Sequence, residues 1–290
     1  WSMWTPNFRT LSDFEIMLGA DGLSKINAYV LKVARGLGFA DIRGLCSDTT
    51  AQEADIPYPT EVGLMNSFCK SVAAALGLLR GKFGRSKAAL LQMVHQVKKL
   101  VREHRLFAKT KERKREIERK LLALTKKVSQ TIAKALTKIG NNLIGHQKTA
   151  YQRLVKLQEV FTKLAPQMAH YIEKGKVAKD KIISLFQPEL RSIKRGKSGK
   201  PVEFGIKWGI NRIRGGFVWL FLLQGPKKGE ADYMVQSINE HIALFGKAPE
   251  EFAYDRGGWS EAHLKVVKNQ GVKRVAVAPK GQANWKVSPR

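Results

Sequence analysis

Acidic side chains are what this chain has least of relative to its needs. Twenty-four Asp and Glu stand against 52 Lys and Arg in 290 residues, a formal charge of +28 at pH 7. A surface this basic is normally balanced by a polyanion, which makes nucleic acid the first partner to consider and an anionic membrane surface the second. Cysteine is nearly absent: Cys46 and Cys69 form no CxxC pair and have no histidine at zinc-ligand spacing. Neither a disulfide scaffold nor a zinc centre is signalled, and reduced thiols are the default. No run approaches the roughly 18 apolar residues of a membrane span; Phe217 to Leu223 reads as a buried strand. The six histidines form no HExxH and no serine stands in GxSxG, so metalloprotease and α/β-hydrolase chemistry have no signature. There is no signal-peptide pattern. The chain begins at Trp1 rather than methionine, so a natural N-terminal segment is expected upstream.

The hydrophobic fraction of 43% suffices for one large or two modest domains. The most informative stretch is EFAYDRGGWSEAHLKVVKNQGVKRVAVAP, Glu251 to Pro279. A short apolar strand ends on Asp255 and passes through Gly257-Gly258 to a helix. Ser260 is its expected N-cap, Glu261 lies in its first turn and Gly271 takes the C′ position. Val272, Val275 and Val277 supply a returning strand, so the stretch reads as a βαβ unit. Ligands of open α/β sheets collect at the carboxyl ends of strands, which makes Asp255 a candidate for chemistry; the plainer alternative is an Asx turn. A second strand, Ile42 to Thr50, carries Asp48 near its end, and Pro57-Tyr58-Pro59 halts regular structure after it.

Residues 1–40 place Phe14, Met17, Leu18, Ile26, Val30, Val33 and Leu37 at three-to-four spacing, predicting a helical packing element. From Asn66 to Phe186 the pattern is helical throughout. Leu90, Val94, Val97 and Val101 form one stripe, Ile117 to Ile139 a longer one, and Leu154, Leu157, Phe161 and Leu164 a third that runs to Pro166. These predict a bundle or short antiparallel coiled coil. Asn66 to Lys200 contains 33 Lys and Arg against eight acids, so this block carries nearly all the excess charge. Glutamates in Lys109 to Lys120 offset some of it through i,i+4 pairs, but the acids are too few for an ordinary solvated face. Ser192 to Pro201 is predicted to be a basic loop. Its Gly196-Lys197-Ser198 ends like a phosphate-binding loop, yet Arg191 occupies the place of the required first glycine, and that motif is excluded. Val202, Phe204, Ile206, Trp208 and Ile210 alternate as the inward face of a strand. Phe217 to Leu223 is predicted to be a central strand after a turn at Gly215-Gly216, and Ala231 to Phe245 an amphipathic helix closed by Gly246. Trp208 and Trp219 are expected in the core.

Without the helical block the element order is β-ββ-α-β-α-β. Three segments then carry a resemblance: SDTTAQEADIPYPTEVGLM (Ser47–Met65), SLFQPELRSIKRGKSGKPVEFGIK (Ser184–Lys207) and AYDRGGWS (Ala253–Ser260). Together they resemble the DDE transposases of bacterial insertion sequences. The resemblance implies an α/β fold, an RNase H-like mixed sheet with a long all-helical insertion between the first and second core strands. Residues 1–40 would be an N-terminal helical element, 41–65 with 187–290 the catalytic core, and 66–186 the basic insertion. It also implies a cytoplasmic, nucleoid-associated bacterial protein that acts as a homo-oligomer on transposon ends and target DNA, with no membrane involved.

On that resemblance Asp48 and Asp255 are the expected catalytic acids and metal ligands. Two carboxylates held side by side at strand ends suit two Mg²⁺ or Mn²⁺ ions about 4 Å apart, for hydrolysis at transposon ends and strand transfer into a target. Lys194, Arg195, Lys197, Lys200, Arg212, Arg214 and Arg256 are expected to hold phosphates without reading bases. The family pattern has a third acid, a glutamate on the helix after the strand Val272 to Ala278, but Pro279 to Arg290 contains none. A chain that stops before that helix is expected, with weak or no catalysis. The alternatives are an inactive copy, a non-catalytic DNA-binding relative, and a nuclease that cuts without strand transfer. Glu261, the last acid of the chain, reads as a helix-start charge.

Overall fold

The computed structural model of the chain describes residues 6–79, 81–84, 86–139, 143–197, 200–223 and 229–279. Its helices are α1 (Phe8–Gly36), α2 (Glu61–Leu78), α3 (Ser86–Leu106), α4 (Lys111–Leu136), α5 (Gly145–Lys174), α6 (Glu230–Phe245) and α7 (Glu261–Asn269). Its strands are β1 (Asp41–Glu53), β2 (Arg191–Lys197), β3 (Lys200–Arg214), β4 (Val218–Phe221), β5 (Glu251–Tyr254) and β6 (Arg274–Val277), with a 3₁₀ turn at Arg256–Gly258. The chain divides into two compact units, Trp1–Gln52 with Lys207–Arg290, and Glu53–Ile206. Residues 53–65 and 187–206 therefore group with the helices, whereas the sequence reading placed them with the sheet. No helix among the described residues is long and apolar enough to cross a membrane.

The first unit is α/β; its part of the mixed sheet runs β3-β1-β5-β6, with β4 paired to β3 off that path. β1, β5 and β6 run parallel, and β3 and β4 pair antiparallel. Gly215 and Gly216, at φ +97° and +87°, make the β3–β4 turn in a backbone region that disfavours other residues. A Cβ at Gly215 would also stand 2.1 Å from the Phe39 carbonyl oxygen. Tyr233, Met234, Ile238 and Phe245 recur along α6 at helical spacing and are buried with Leu45, Phe252 and Val267, the last from α7. Burial of such side chains is worth roughly 1.5–3 kcal/mol each before the entropy of ordering them is counted.

Three expectations are corrected in this unit. β4 is an edge strand paired with β3, and Val218 and Leu220 are exposed; an apolar run reports that both faces are apolar, and a neighbour must still cover them. Along β3 the alternating residues Phe204 to Ile210 are only half-buried, whereas Gly205, Gly209, Asn211 and Ile213 are the buried positions. Gly209 is covered because the Phe221 ring lies where a Cβ would sit, 2.1 Å away. The apolar stripe of α1 is largely open: Leu31 and Ala34 are buried, while Phe14, Met17, Ile26 and Leu37 are exposed. The helix bends at Gly19, whose φ is +63°.

Fully buried His241 ties α6 to β1. Its Nδ1 lies 2.9 Å from the Lys247 carbonyl oxygen and its Nε2 2.9 Å from that of Ile42. Burial pulls the ring below its ordinary value of 6.5, and the two carbonyls only partly oppose this. Between the ordinary and the lowered value the unfolded chain binds more protons, so this contribution is full above about pH 6.5 and is lost on acidification. Urea midpoints are expected to fall from about pH 8 to 5 for the wild-type chain and to change less for His241→Gln.

The second unit packs α2 to α5 around a core that includes Phe68, Leu90, Val97, Ile117, Leu121 and Leu164. Phe68 of α2 stacks on Phe161 of α5 with ring centroids 4.1 Å apart. Thr60 caps α2 by accepting from the Gly63 N–H at 3.0 Å, and Glu61 pairs with Lys181, both largely buried. The Tyr-Pro-Thr-Glu part of the resemblance thus lies at a helix start. Burial pushes the Cys69 thiol up to about 12 despite a hydrogen bond with Thr125, which leaves it unreactive. Two further corrections fall here. α5 continues through Pro166 to Lys174, because tertiary packing outweighs the roughly 3 kcal/mol that an interior proline costs. The predicted basic loop is instead a strand: β2 pairs antiparallel with β3 from Arg191↔Gly205 to Lys194↔Val202.

Candidate functional site

Two aspartates come to neighbouring backbone positions because of strand register. β1 and β5 pair in parallel from Gly44↔Glu251 to Ser47↔Tyr254, and the pairing stops there. The next residue of each chain is an aspartate, Asp48 and Asp255. Adjacent strands lie about 4.8 Å apart, so the two backbone positions stand side by side. β1 itself runs on to Glu53, so Asp48 lies inside its strand and not near the end. What ends at Asp48 is the contact with β5, whose chain turns into the 3₁₀ segment. Asp255 remains extended, at φ −70° and ψ 169°, and its carboxylate accepts no capping hydrogen bond. That removes the Asx-turn reading. Asp48 Oδ1 accepts from the Thr49 N–H at 2.7 Å, and both aspartates are exposed.

Side chains alternate along each strand, so Cys46 shares a face with Asp48, and Ala253 with Asp255. On that face a groove of about 510 Å³ is lined by Gly44, Cys46, Arg212, Arg214, Ala253 and Ala276 among others. Arg212 is exposed there. Arg214 is committed elsewhere: it lies over Gly44 and pairs with Asp41 at 3.4 Å and with Glu251. Gly44 is four residues from Asp48, about 13 Å along a strand. Arg256 is exposed in the turn directly after Asp255. In the other unit Lys194 is exposed on β2. The side chains of Arg195, Lys197 and Lys200 lie outside the described residues.

The opposite face holds the aspartates' neighbours. Buried Ser47 donates to Asn211 Oδ1 at 2.5 Å, and Asn211 Nδ2 donates to the Ser237 carbonyl oxygen at 3.1 Å. One amide thereby joins β1, β3 and α6 immediately beside Asp48. Asn211→Leu is expected to destabilise the chain by about 1–3 kcal/mol by stranding the Ser47 hydroxyl and removing the second hydrogen bond to the Ser237 carbonyl. Urea midpoints check this.

Glu230, absent from the sequence-based site, is the other organising group. Its carboxylate accepts from Thr49 Oγ1 at 3.0 and 3.2 Å and from Tyr254 Oη at 3.1 Å, and it pairs with Lys207. Burial, followed by Glu230 and then the carboxylates of Asp255 and Asp48, pushes the Tyr254 hydroxyl far above its ordinary range. All three acids thus act on one hydroxyl. The available sequence signal was an acid in the first turn of a helix, where a dipole role is the ordinary reading. Asp232 already serves the helix start by accepting from the Gly229 N–H at 2.8 Å. Nearby, the Ser260 hydroxyl lies 2.8 Å from His263 Nδ1, and His263 Nε2 lies 3.4 Å from Asp232, a chain that braces α7 against α6.

Among the described residues no group of three or more His, Cys, Asp or Glu is arranged to hold a metal ion. Asp48 and Asp255 still offer the hard oxygens that Mg²⁺ prefers, and that ion is commonly held by one or two carboxylates together with water and phosphate oxygens. The donor chemistry of the pair fits. Fold and site together define a basic α/β protein with a paired aspartate site on its sheet. Compared with known proteins, the chain matches no family model, no curated protein and no solved structure.

Proposed function

We propose that the chain is a metal-dependent DNA transposase, with an RNase H-like core that cleaves phosphodiesters at insertion-sequence ends and joins them to a target. The observation that carries this reading is the register that sets Asp48 beside Asp255. Asp48 and Asp255 would hold two Mg²⁺ or Mn²⁺ ions. When bound, such ions supply activation of the attacking oxygen and relief of charge on the leaving oxygen. Arg212, exposed in the groove beside Cys46, and Arg256, the residue after Asp255, would hold the phosphodiester through charge-assisted hydrogen bonds. In cleavage the P–O bond breaks as one to a water oxygen forms; in strand transfer the entering oxygen is a 3′-hydroxyl. The basic helices would neutralise DNA phosphates and release condensed counterions, and a homo-oligomer would hold two ends together.

A second reading, a DNA-binding relative without catalysis, is favoured by the lack of a three-acid group among the described residues. Metal-dependent nicking of plasmid DNA by the wild-type, Asp48→Asn and Asp255→Asn chains, with binding measured alongside, separates the two.

A further inference from the structure

We infer that Glu230 is the positioning residue of the aspartate pair, a brace that sets the separation of Asp48 and Asp255 without itself serving as a ligand. The inference rests on the proposed reading of those aspartates as the cation-holding pair.

Three strands send one donor each to this carboxylate: Thr49 from β1, Lys207 from β3 and Tyr254 from β5. Thr49 directly follows Asp48, and Tyr254 directly precedes Asp255. Glu230 is thus bonded to the immediate neighbour of each aspartate and fixes both from the same point. The turn after β5 is shaped for this approach. A Cβ on Gly257 would stand 2.9 Å from Glu230 Cγ and 3.0 Å from Asp255 Oδ1, so the glycine lets the two acidic side chains close around it.

The saturation of Glu230 points to bracing and away from ligation. Lys207 takes Oε1, Tyr254 takes Oε2, and the one Thr49 hydroxyl proton is shared between the two oxygens. A carboxylate has about four lone-pair sites, so these contacts leave little for a cation. Lys207, whose ammonium also sits 5.0 Å over the Tyr233 ring, neutralises Glu230. The brace therefore adds no third net negative charge to the site.

The test uses charge-balanced pairs in the full chain, with Mn²⁺ binding followed by electron paramagnetic resonance of the free ion in the absence of DNA. Glu230→Gln with Lys207→Met keeps an acceptor for Thr49 or Tyr254 and is expected to hold Mn²⁺ within about threefold of wild type. Glu230→Ala with Lys207→Met removes the acceptor at the same net charge and is expected to weaken binding about 10–100-fold. Equal losses in the two pairs would make Glu230 a ligand and overturn the inference; no loss in either would overturn it as well. Asp48→Asn and Asp255→Asn test the underlying reading separately: unchanged Mn²⁺ binding in both, or none in the wild-type chain, removes that reading whatever Glu230 does. Amide exchange supplies a readout free of metal. The alanine pair is expected to exchange at least about tenfold faster than the glutamine pair at Thr49 and Asp255–Gly258 and not at Phe68, and equal rates would remove the brace.

Discussion

Asp48→Asn and Asp255→Asn are each expected to lower metal-dependent nicking of duplex DNA by about a thousandfold or more while changing DNA affinity by less than about threefold. Each substitution is nearly isosteric and removes one carboxylate charge from an exposed position, so the core packed around Phe252 and Tyr254 is expected to be untouched. The magnitude follows from the role assigned to the pair: a lost ligand costs both cation affinity and stabilisation of charge that develops only in the transition state. Thermal unfolding within a few degrees of wild type establishes that the fold survives. Nicking that persists in both variants would sink the assignment. A wild-type chain that binds DNA and never nicks, in Mg²⁺ or Mn²⁺, would support the non-catalytic relative.

The second large effect is ionic. The affinity of the chain for a random duplex is expected to fall about 10³- to 10⁵-fold between 50 and 200 mM salt, as for a protein that makes six to ten phosphate contacts. The helical unit has the charge for it, and its pairing identifies which charges are available. Arg113 is engaged by Glu103 and Glu116, and Lys120 by Glu116. Lys127, Lys134 and Lys138 are exposed along α4 and just beyond it, seven and four residues apart and so on one face, and among the described residues they do not join the ion pairs of Arg113 and Lys120. Replacing these three with alanine is expected to reduce the slope of log affinity against log salt by about 2–3, because each phosphate contact contributes about 0.9. An unchanged slope would exclude this face from the DNA contact. Sequence-independent loss across several duplexes would identify the contacts as phosphate contacts.

Much of the architecture was legible because it is locally encoded. Helical spacing with Gly246 after it specified α6, Ser260 to Gly271 framed α7, and the stripes Leu90–Val101 and Ile117–Ile139 specified α3 and α4. Period and caps act within a few residues, so no distant part of the chain is needed to read them. Coverage was not legible in the same way. Val218 and Leu220 on β4 and Phe14 and Met17 on α1 have apolar patterns but stand exposed, since burial depends on what another segment brings. Pro166 reads locally as a stop, yet α5 passes through it.

The site divides along the same line. Asp48 and Asp255 could each be singled out from a strand followed by turn-forming residues, and the net charge of +28 raised the expectation of a polyanionic partner. Their adjacency came from tertiary structure, through a parallel register that joins segments about two hundred residues apart and ends one residue before both. The withdrawal of Arg214 into pairs with Asp41 and Glu251, and the convergence of Thr49, Lys207 and Tyr254 on Glu230, were likewise decided by the fold. Thr49 and Glu230 lie 181 positions apart. Hydrogen bonds and ion pairs act over a few ångströms of space and are indifferent to distance along the chain, so only the sheet, by choosing which strands are neighbours, determined which of these groups could meet.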